Sequence, residues 1–296
     1  MNSILVTGGT GTFGRAFVDH LLRKTNIDRI CIYSRGEHAQ AALHDQFGGD
    51  SRLRLMVGDV RDVDRLKRAC RGIDTIIHAA ALKRIETGAY NPDEMVKTNV
   101  LGTMNVVEAA LANGVKRVVS LSSDKAYQPI SPYGQSKALG ESLILAGNSM
   151  HGQRGPKFAA VRYGNIWMAQ GSVVPKWIAA IARGEDVIRV TDMACTRFFM
   201  TVEQAVQLVW STIGHTGLVI PDTLPSYQLS ALVAAMYKVY GMDWIETGLP
   251  AYEKLHESMR DGLCSQDARS MTIDELEAAI REGGGGRGET RALAMI

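Results

Sequence analysis

The sequence is poor in cysteine, because only four occur among 296 residues and no two of them form a C-x-x-C pair. Cys31, Cys70, Cys195 and Cys264 are widely scattered. That spacing fits neither a zinc site nor a disulfide framework. We therefore expect reduced thiols and no metal site.

Excess charge of one sign and long apolar runs are also missing. The formal net charge is only +2, too little to indicate nucleic acid or an anionic membrane surface as a partner. No apolar stretch approaches the roughly 18 residues that a membrane span needs. The first residues lead into a strand pattern, "SILVTGG", without the features of a signal peptide. These absences predict a soluble, cytoplasmic protein that binds neither nucleic acid nor membrane.

What the sequence does contain is a regular alternation of strand and helix patterns. Six runs are typical of buried parallel strands: "SILVTG", "RICIYS", "LRLMVGD", "DTIIHAA", "RVVSLSS" and "KFAAVRYGN". With helical patterns between them, they predict an α/β fold with a Rossmann-type, doubly wound parallel sheet. We expect this domain over residues 1–164, a smaller substrate-binding subdomain over 165–282, and a flexible tail over 283–296, where four glycines stand together.

A glycine-rich turn, "TGGTGTFGRAF", follows the first strand. Glycines allow a tight turn and let the backbone approach a pyrophosphate, which then lies at a helix N-terminus. A purely structural turn does not need so many glycines, so the sequence predicts a dinucleotide site. Its expected contacts are Gly8, Gly11, Thr12, Phe13 and Gly14.

The end of the second strand bears on which dinucleotide binds. An NAD site usually has an acidic residue here for the ribose 2′-hydroxyl, whereas an arginine suits the 2′-phosphate of NADP. Ser34 and Arg35 in "YSRGEH" favour NADP, and Glu37 leaves NAD possible. Asp59 and Val60 are expected to flank the adenine. Small residues after the fourth strand would leave room for the cofactor backbone: Ala79, Ala80 and Ala81.

Residues 120–137, "SLSSDKAYQPISPYGQSK", concentrate reactive side chains near a predicted strand end. Tyr133 and Lys137, four residues apart, share one face of the following helix. A lysine ammonium beside a phenol lowers the pKa of the phenol from about 10. Tyr133 would then take a proton from a substrate hydroxyl while hydride leaves for the cofactor. Ser123 would hydrogen-bond the same hydroxyl, and Tyr133 and Lys137 would also contact the cofactor.

These motifs resemble those of the extended short-chain dehydrogenase/reductase superfamily, and within it the UDP-N-acetylglucosamine 4,6-dehydratases of the 5-inverting type. The match includes "VTGGTGTFG", "HAAALKRIETGAYNPDEMVKTNVLGT", "SSDKAYQPISPYGQSK", "RYGNI" and "EKLHESM". Many other extended members carry an Asp-Glu pair where this chain has Asp124 and Lys125. This Asp-Lys pair is the most discriminating feature of the sequence.

The resemblance implies a redox-neutral cycle on a nucleotide sugar. Tyr133 would act as base while sugar C4 is oxidised, and Lys125 would remove the C5 proton. Asp124, protonated, would donate to the departing 6-hydroxyl, and hydride would return to C6 to give a 4-keto-6-deoxy sugar. Burial and mutual positioning would have to keep the lysine and the acid uncharged.

The resemblance also implies substrate contacts and self-association. Residues at matching positions would hold the sugar nucleotide: Lys83, Asn99, Asn165, Arg197 and Lys254. The chain reads "WMAQGSV" and "YQPISP" where the family typically has "GSRGSV" and "CNPVNL", so the sugar and the nucleotide are left open. We expect a homo-oligomer, at least a dimer, through the helices around residues 93–112 and 131–147.

Together with these residues, the resemblance implies an NADP-dependent nucleotide-sugar 4,6-dehydratase, a lyase acting on a UDP-N-acetylhexosamine. A nucleotide-sugar 4-epimerase is the main alternative, and it would use Tyr133 without needing Lys125. A regulatory module that binds the dinucleotide without turnover is a further alternative. The intact Ser123, Tyr133 and Lys137 set argues against it, since a sensor has no use for a phenol held ready to deprotonate.

Overall fold

The computed structural model of the chain describes residues 1–152 and 155–284. Its strands are, in chain order, β1 Ser3–Thr7, β2 Arg29–Ser34, β3 Leu53–Val57, β4 Thr75–His78, β5 Arg117–Leu121, β6 Lys157–Val161, β7 Asn165–Ile166, β8 Val187–Val190, β9 Thr196–Met200, β10 Gly217–Val219, β11 Ser226–Gln228, β12 Asp243–Glu246, β13 Ser258–Arg260 and β14 Leu263–Cys264. Its α-helices are α1 Thr12–Lys24, α2 Glu37–Gln46, α3 Val63–Ala69, α4 Ile85–Tyr90, α5 Pro92–Met95, α6 Gly102–Asn113, α7 Pro132–Ala146, α8 Val173–Ala182, α9 Val202–Thr212, α10 Leu229–Tyr240 and α11 Ile273–Gly284. A π-helical segment, Val96–Leu101, lies between α5 and α6.

The chain forms two compact units whose boundary is not a single point. Unit 1 comprises Met1–Tyr163 and Val202–Pro221, and unit 2 comprises Gly164–Thr201 and, among the described residues, 222–284. Residues 202–221 therefore lie in unit 1, whereas the sequence interpretation placed them in the second domain. The physical reason is that β10 pairs with β6 and α9 packs against α1. The expected tail, 283–296, starts inside α11, and residues 285–296 lie outside the described part of the chain.

Unit 1 is built on a seven-stranded sheet in the order β10-β6-β5-β4-β1-β2-β3. All neighbouring strands in it are parallel. Every one of the six predicted strands is present, which confirms the doubly wound α/β fold. Strands β1 and β4 are buried along their whole length, as expected where helices cover both faces. The strand order reverses between β1 and β4, and open α/β sheets bind ligands outside the carboxyl ends of the strands at such a point.

Unit 2 has its own core between small sheets and three helices. Its sheets have the orders β11-β9-β7, β12-β8 and β13-β14. Side chains from α8, β9, α10 and α11 fill the space between them: Trp177, Phe199, Leu232, Met236 and Leu276. Within the described ranges of both units, no helix has the length and apolar character needed to cross a membrane.

Candidate active site

The turn after β1 is shaped for close approach of a ligand to the backbone. Gly8 has a φ of +67°, and a Cβ on it would lie 2.8 Å from a backbone nitrogen at the end of β4. A Cβ on Gly14 would lie 2.6 Å from the Gly8 carbonyl oxygen. Helix α1 opens with Thr12 and Phe13, and its N-cap, Gly11, offers no side-chain hydrogen bond. No acidic residue lies in the first turn of this helix, so its positive end suits an anion such as a pyrophosphate.

The end of β2 carries a cation rather than a carboxylate. Ser34 is half-buried, Arg35 is exposed, and the buried Gln40 on α2 donates to the Ser34 carbonyl oxygen at 3.0 Å. Asp59 accepts from the Arg61 guanidinium at 2.7 Å. Burial alone would raise the pKa of Asp59, but the hydrogen bonds from Arg61 hold this pKa below its usual range. The Asp59 carboxylate is therefore already paired.

The loop after β4 is tied to the loop after β1. The Ala79 N–H donates to the Thr7 carbonyl at 3.2 Å, and the Ala80 N–H donates to the Thr7 hydroxyl at 3.2 Å. The three alanines of this loop are half-buried. Val60 is buried, and its carbonyl accepts from the Asn105 side chain at 2.8 Å. The predicted cofactor residues therefore lie in loops at the carboxyl ends of β1 to β4 within one unit.

A short 3₁₀ turn, Asp124–Ala126, follows β5 and carries the Asp-Lys pair. The Ser123 hydroxyl donates to Asp124 Oδ1 at 2.9 Å, and Lys125 Nζ donates to the same oxygen at 3.1 Å. The Asp124 side chain is fully buried, and its Oδ2 has no hydrogen-bond partner among the described residues. Buried polar atoms without a partner are rare in folded proteins, so this oxygen is a candidate contact for a bound ligand.

Helix α7 starts against this turn and positions the phenol. The Ser131 hydroxyl caps the helix by accepting from the Gly134 N–H at 3.1 Å, and Pro132 occupies the first helical position. A Cβ on Gly134 would lie 2.4 Å from the Lys125 carbonyl oxygen. Glycine at this position therefore lets the first turn of α7, which contains Tyr133, pack directly on the turn that contains Lys125.

Lys137, one turn further along α7, reaches back to the end of β5. Its Nζ donates to the Leu121 carbonyl at 2.5 Å. Burial lowers the pKa of Lys137 to about 8, with Glu141 acting in the opposite direction. The side chain is thus still protonated at neutral pH, as the sequence interpretation requires, although it titrates well below a solvated lysine.

A hydrogen-bond chain through His78 joins β1 and β4 to the π-helical segment. Thr7 Oγ1 lies 2.8 Å from His78 Nδ1, and His78 Nε2 lies 3.1 Å from Thr103 Oγ1. The Thr103 hydroxyl donates to the Asn99 carbonyl at 2.6 Å. Its oxygen must therefore accept from Nε2, which leaves Nδ1 as the acceptor for Thr7. Burial lowers the pKa of His78 to about 3, so the ring is neutral in this chain.

The burial of His78 predicts a stability loss in acid. As pH falls from 6.5 towards 3, the unfolded chain takes up a proton on this ring and the folded chain does not, so the free energy of unfolding decreases. We expect His78→Gln to be less stable at neutral pH but to lose less stability between pH 6.5 and pH 4.5, measured by urea unfolding. His38→Gln, at an exposed histidine, should keep the wild-type pH profile. Equal losses in wild type and His78→Gln would contradict the buried neutral ring.

Asn99 ties the loop after β4 to the helix that carries the phenol. Its amide bonds the Leu82 N–H at 2.8 Å and the Leu82 carbonyl at 2.9 Å, and it donates to Ser136 Oγ at 2.9 Å. Ser136 donates in turn to the Tyr133 carbonyl at 2.8 Å. Asn99 is only 2% exposed, and its side chain stabilises the contact between this loop and α7. Its contact with substrate stays a prediction. Lys83 is exposed beside this loop.

The remaining predicted substrate residues lie in unit 2. Arg197 on β9 is buried, and its guanidinium donates to the Leu255 carbonyl at 3.1 Å and lies 3.4 Å from a Glu253 carboxylate oxygen. Lys254 lies 3.6 Å from a Glu257 carboxylate oxygen. Asn165 starts β7, which pairs with β9. These contacts bring Arg197 and the segment around Lys254 together inside unit 2.

The departure from the family at "WMAQGSV" has a structural counterpart in unit 2. Trp167 donates from Nε1 to the Ala279 carbonyl at 3.2 Å, and its ring centroid lies 5.0 Å from that of Phe199. Met168 has a φ of +56°, a conformation that costs little only for glycine. These large side chains anchor the loop to α11 and the core of this unit.

Several residues that shape the site were not identified from the sequence: Gln40, His78, Thr103, Gly134 and Ser136. Gly134 gave the clearest available signal, because a glycine in the first turn of a helix lowers helix stability unless close packing requires it. No cluster of His, Cys, Asp or Glu side chains suited to a metal ion occurs in the described parts of the chain.

Comparison with known proteins places these features in a family. A family model described as "Polysaccharide biosynthesis protein" matches residues 4–275. Over 259 residues, the chain is 39% identical to a UDP-N-acetylglucosamine 4,6-dehydratase (inverting) of Campylobacter jejuni subsp. jejuni, strain 81-176, which covers 87% of this chain and 77% of that protein. Over 244 residues, it is 36% identical to a UDP-glucose 4-epimerase of Rickettsia akari, which covers 81% of this chain and 71% of that protein.

A solved structure supports the same placement. The X-ray structure of Pen from Bacillus thuringiensis superposes with a TM-score of 0.89 at 30% identity, covering 95% of this chain and 98% of that one. The chain therefore belongs to the polysaccharide biosynthesis protein family, among the extended short-chain dehydrogenase/reductases of the inverting UDP-N-acetylglucosamine 4,6-dehydratase type.

Proposed function

We propose that the protein is an NADP-dependent nucleotide-sugar 4,6-dehydratase that acts on a UDP-N-acetylhexosamine, with UDP-N-acetylglucosamine as the first candidate. The observation that carries this proposal is the fully buried Asp124, bonded to Lys125 on the turn against which the helix of Tyr133 packs. A 4-epimerase needs neither a base at C5 nor an acid at C6. A buried acid and an amine in contact, on the turn that packs against the helix of Tyr133, are what elimination of water requires.

The cofactor residues fit a dinucleotide. The backbone around Gly8 and Gly14 leaves no room for a Cβ, and the N-terminus of α1 lacks both a side-chain cap and an acidic first turn. Arg35 at the end of β2 suits a 2′-phosphate. Bound here, an oxidised nicotinamide would accept a hydride from sugar C4 and return it to C6.

The side chains of unit 1 account for the proton movements. Tyr133 takes the proton of the 4-hydroxyl as C4 is oxidised, and the resulting ketone acidifies the C5 hydrogen, which Lys125 removes. Asp124 gives its proton to the 6-hydroxyl, which leaves as water. C5 takes up a proton from solvent when C6 has been reduced, Lys125 releases its proton to solvent, and the proton held by Tyr133 restores Asp124 through solvent. The sum is the loss of one water with no net change of the cofactor.

Unit 2 would hold the sugar nucleotide. Arg197 offers a planar guanidinium to the diphosphate, and it would exchange its contact with Glu253 for the stronger charge of the phosphates. Lys254 lies in the segment packed against β9 and would add a second cation. Asn165, at the start of β7, would hydrogen-bond the sugar.

We also propose a homo-oligomer formed through α6, α7 and the π-helical segment. Leu101, Met104 and Leu139 are large apolar residues on these elements, and each is between 45% and 50% exposed. Met104→Glu combined with Leu139→Glu should convert a dimer or larger species to monomer in sedimentation experiments, because the new charges would be buried in the interface. Leu55→Glu, at another exposed apolar position on β3, should not. A wild-type monomer, or an unchanged mass in the double variant, would contradict this proposal.

A cytoplasmic location completes the proposal. All four cysteines are free, which is usual in a reducing compartment. Recovery of the native protein from a periplasmic or extracellular fraction would contradict it.

One assay tests the activity directly. The protein is incubated with NADP and UDP-N-acetylglucosamine, and the products are analysed by mass spectrometry while the absorbance of reduced cofactor is followed. A product lighter by one water, formed without net cofactor reduction, is the expected result. A product of unchanged mass with altered chromatographic mobility would instead identify a 4-epimerase.

A further inference from the structure

A buried glutamine sets the hydrogen-bonding direction of the serine at the end of β2. Gln40 is 1% exposed, and its Nε2 lies 3.0 Å from the Ser34 carbonyl oxygen, 3.1 Å from the Met56 carbonyl oxygen and 3.0 Å from Ser34 Oγ. Carbonyl oxygens only accept hydrogen bonds, so the NH₂ group of the amide must face both of them. The orientation of the Gln40 amide is therefore determined by its surroundings.

This orientation leaves the proton of the Ser34 hydroxyl available. An amide nitrogen has no lone pair to accept a hydrogen bond, so Ser34 Oγ can only accept from Gln40. No other hydrogen bond of Ser34 Oγ is found among the described residues, and the side chain is half-buried at the strand end. The two N–H groups of Gln40 serve three acceptors, so Ser34 Oγ shares one of them with a carbonyl. The O–H of Ser34 is not used by Gln40 and remains able to donate to another group.

A donor at this position discriminates between the two nicotinamide dinucleotides. The end of the second strand meets the ribose 2′ position, where NAD has a hydroxyl that is usually bound by a carboxylate and NADP has a phosphate that only accepts. Arg35, next to Ser34, is exposed and cationic, whereas Asp59 is paired with Arg61. Glu37, three residues after Ser34, lies exposed in the first turn of α2.

We infer that Gln40 is a positioning residue for cofactor selection, which favours NADP over NAD by holding the Ser34 hydroxyl as a donor to the 2′-phosphate. The inference rests on the cofactor named in the proposed function, and it adds Gln40 as a residue that favours NADP over NAD. Because Gln40 is buried, it acts only through Ser34 and would not touch the cofactor.

Nucleotide binding, rather than turnover, tests the inference. Dissociation constants of NADP and NAD are measured by calorimetry for wild type, Gln40→Leu, Gln40→Glu and Ser34→Ala. We expect Gln40→Leu and Ser34→Ala to weaken NADP about ten-fold, the size of one hydrogen bond to a charged group, and to leave NAD within about two-fold. Gln40→Glu should weaken NADP further, because its carboxylate would accept from Ser34 and turn the hydroxyl inward.

A double variant separates positioning from general structural damage. If Gln40 acts through Ser34, the variant with both Gln40→Leu and Ser34→Ala should bind NADP no more weakly than Ser34→Ala alone. Equal weakening of NADP and NAD by Gln40→Leu and Gln40→Glu, or additive losses in the double variant, would overturn this inference and leave the cofactor proposal intact. A wild-type preference for NAD would overturn both. Ser34→Ala, at a half-buried position, keeps the test available if the Gln40 variants fail to fold.

Discussion

Lys125→Ala should abolish exchange of the C5 hydrogen of the substrate with solvent while leaving nucleotide binding unchanged. The amine contacts a fully buried carboxyl group at 3.1 Å and is itself largely withdrawn from solvent. Removal of a positioned base typically costs between about 10² and 10⁴ in rate. C4 oxidation does not need this base, so addition of UDP-N-acetylglucosamine with NADP should still produce reduced cofactor in a single turnover. Deuterium incorporation at C5 from heavy water, read by mass spectrometry, measures the loss.

Two further variants make this result interpretable. Lys116→Ala removes another ion-paired lysine at the opposite end of β5, where Lys116 Nζ lies 2.7 Å from an Asp74 carboxylate oxygen, and it should retain full exchange. Lys125→Met fills more of the space that the alanine variant would leave next to Asp124, so loss of exchange in both variants cannot be attributed to a cavity. Retained exchange in the Lys125 variants would show that another group removes the C5 proton and would rule out Lys125 as that base.

The central sheet was predictable because each of its long strands carries its own local signal. β1, β2 and β4 to β6 are mostly apolar runs followed by glycine, small or polar residues, and burial on both faces favours this composition. β10 was misplaced for the opposite reason. It has only three residues, Gly217–Val219, and joins the sheet through pairing with Lys157–Val161, about sixty residues earlier in the chain. A contact of that separation leaves no periodic pattern in the short segment itself.

The residues of the candidate site also differ in whether the local sequence predicts their role. Asp124, Lys125 and Tyr133 stand within one short segment, where motif and spacing predict their chemistry. The role of His78 depends on Thr7, which is 71 residues away. The role of Gln40 depends on how its amide lies against Ser34 and Met56 at the ends of two neighbouring strands. A lone glutamine or histidine in an apolar region carries no chemical signal until its neighbours are known, so these residues could only be identified from the structure.

Contact distances also changed the interpretation of residues that the sequence did identify. Asn99 was assigned to the substrate by resemblance, yet its side chain bonds Leu82 and Ser136, which restrains the helix that carries the phenol. Lys137 was expected beside Tyr133, and its amine donates to the Leu121 carbonyl at the end of β5. Sequence spacing predicts which face of a helix a residue occupies, but not which of several nearby acceptors it reaches.

Tyr133→Phe should stop the reaction one step earlier than Lys125→Ala, and the two variants together test the proposed order of events. Phenylalanine keeps the ring but cannot take the proton of the 4-hydroxyl, so oxidation at C4 should fall by about 10³. Neither water loss, nor C5 exchange, nor reduced cofactor should then appear, although NADP and substrate still bind. Tyr90→Phe, at a tyrosine that is 87% exposed, is the matched control and should behave as wild type.

The diagnostic measurement is the absorbance of reduced cofactor in a single turnover. Lys125→Ala should accumulate the signal, because its reaction stops after C4 oxidation, whereas Tyr133→Phe should show none. Combining both substitutions should give the Tyr133→Phe result, since a block at the first step hides the second. Accumulation of reduced cofactor in Tyr133→Phe would show that another group removes the hydroxyl proton. The assignment of Tyr133 as the base for C4 oxidation would then be wrong, even if the overall product is the expected keto sugar.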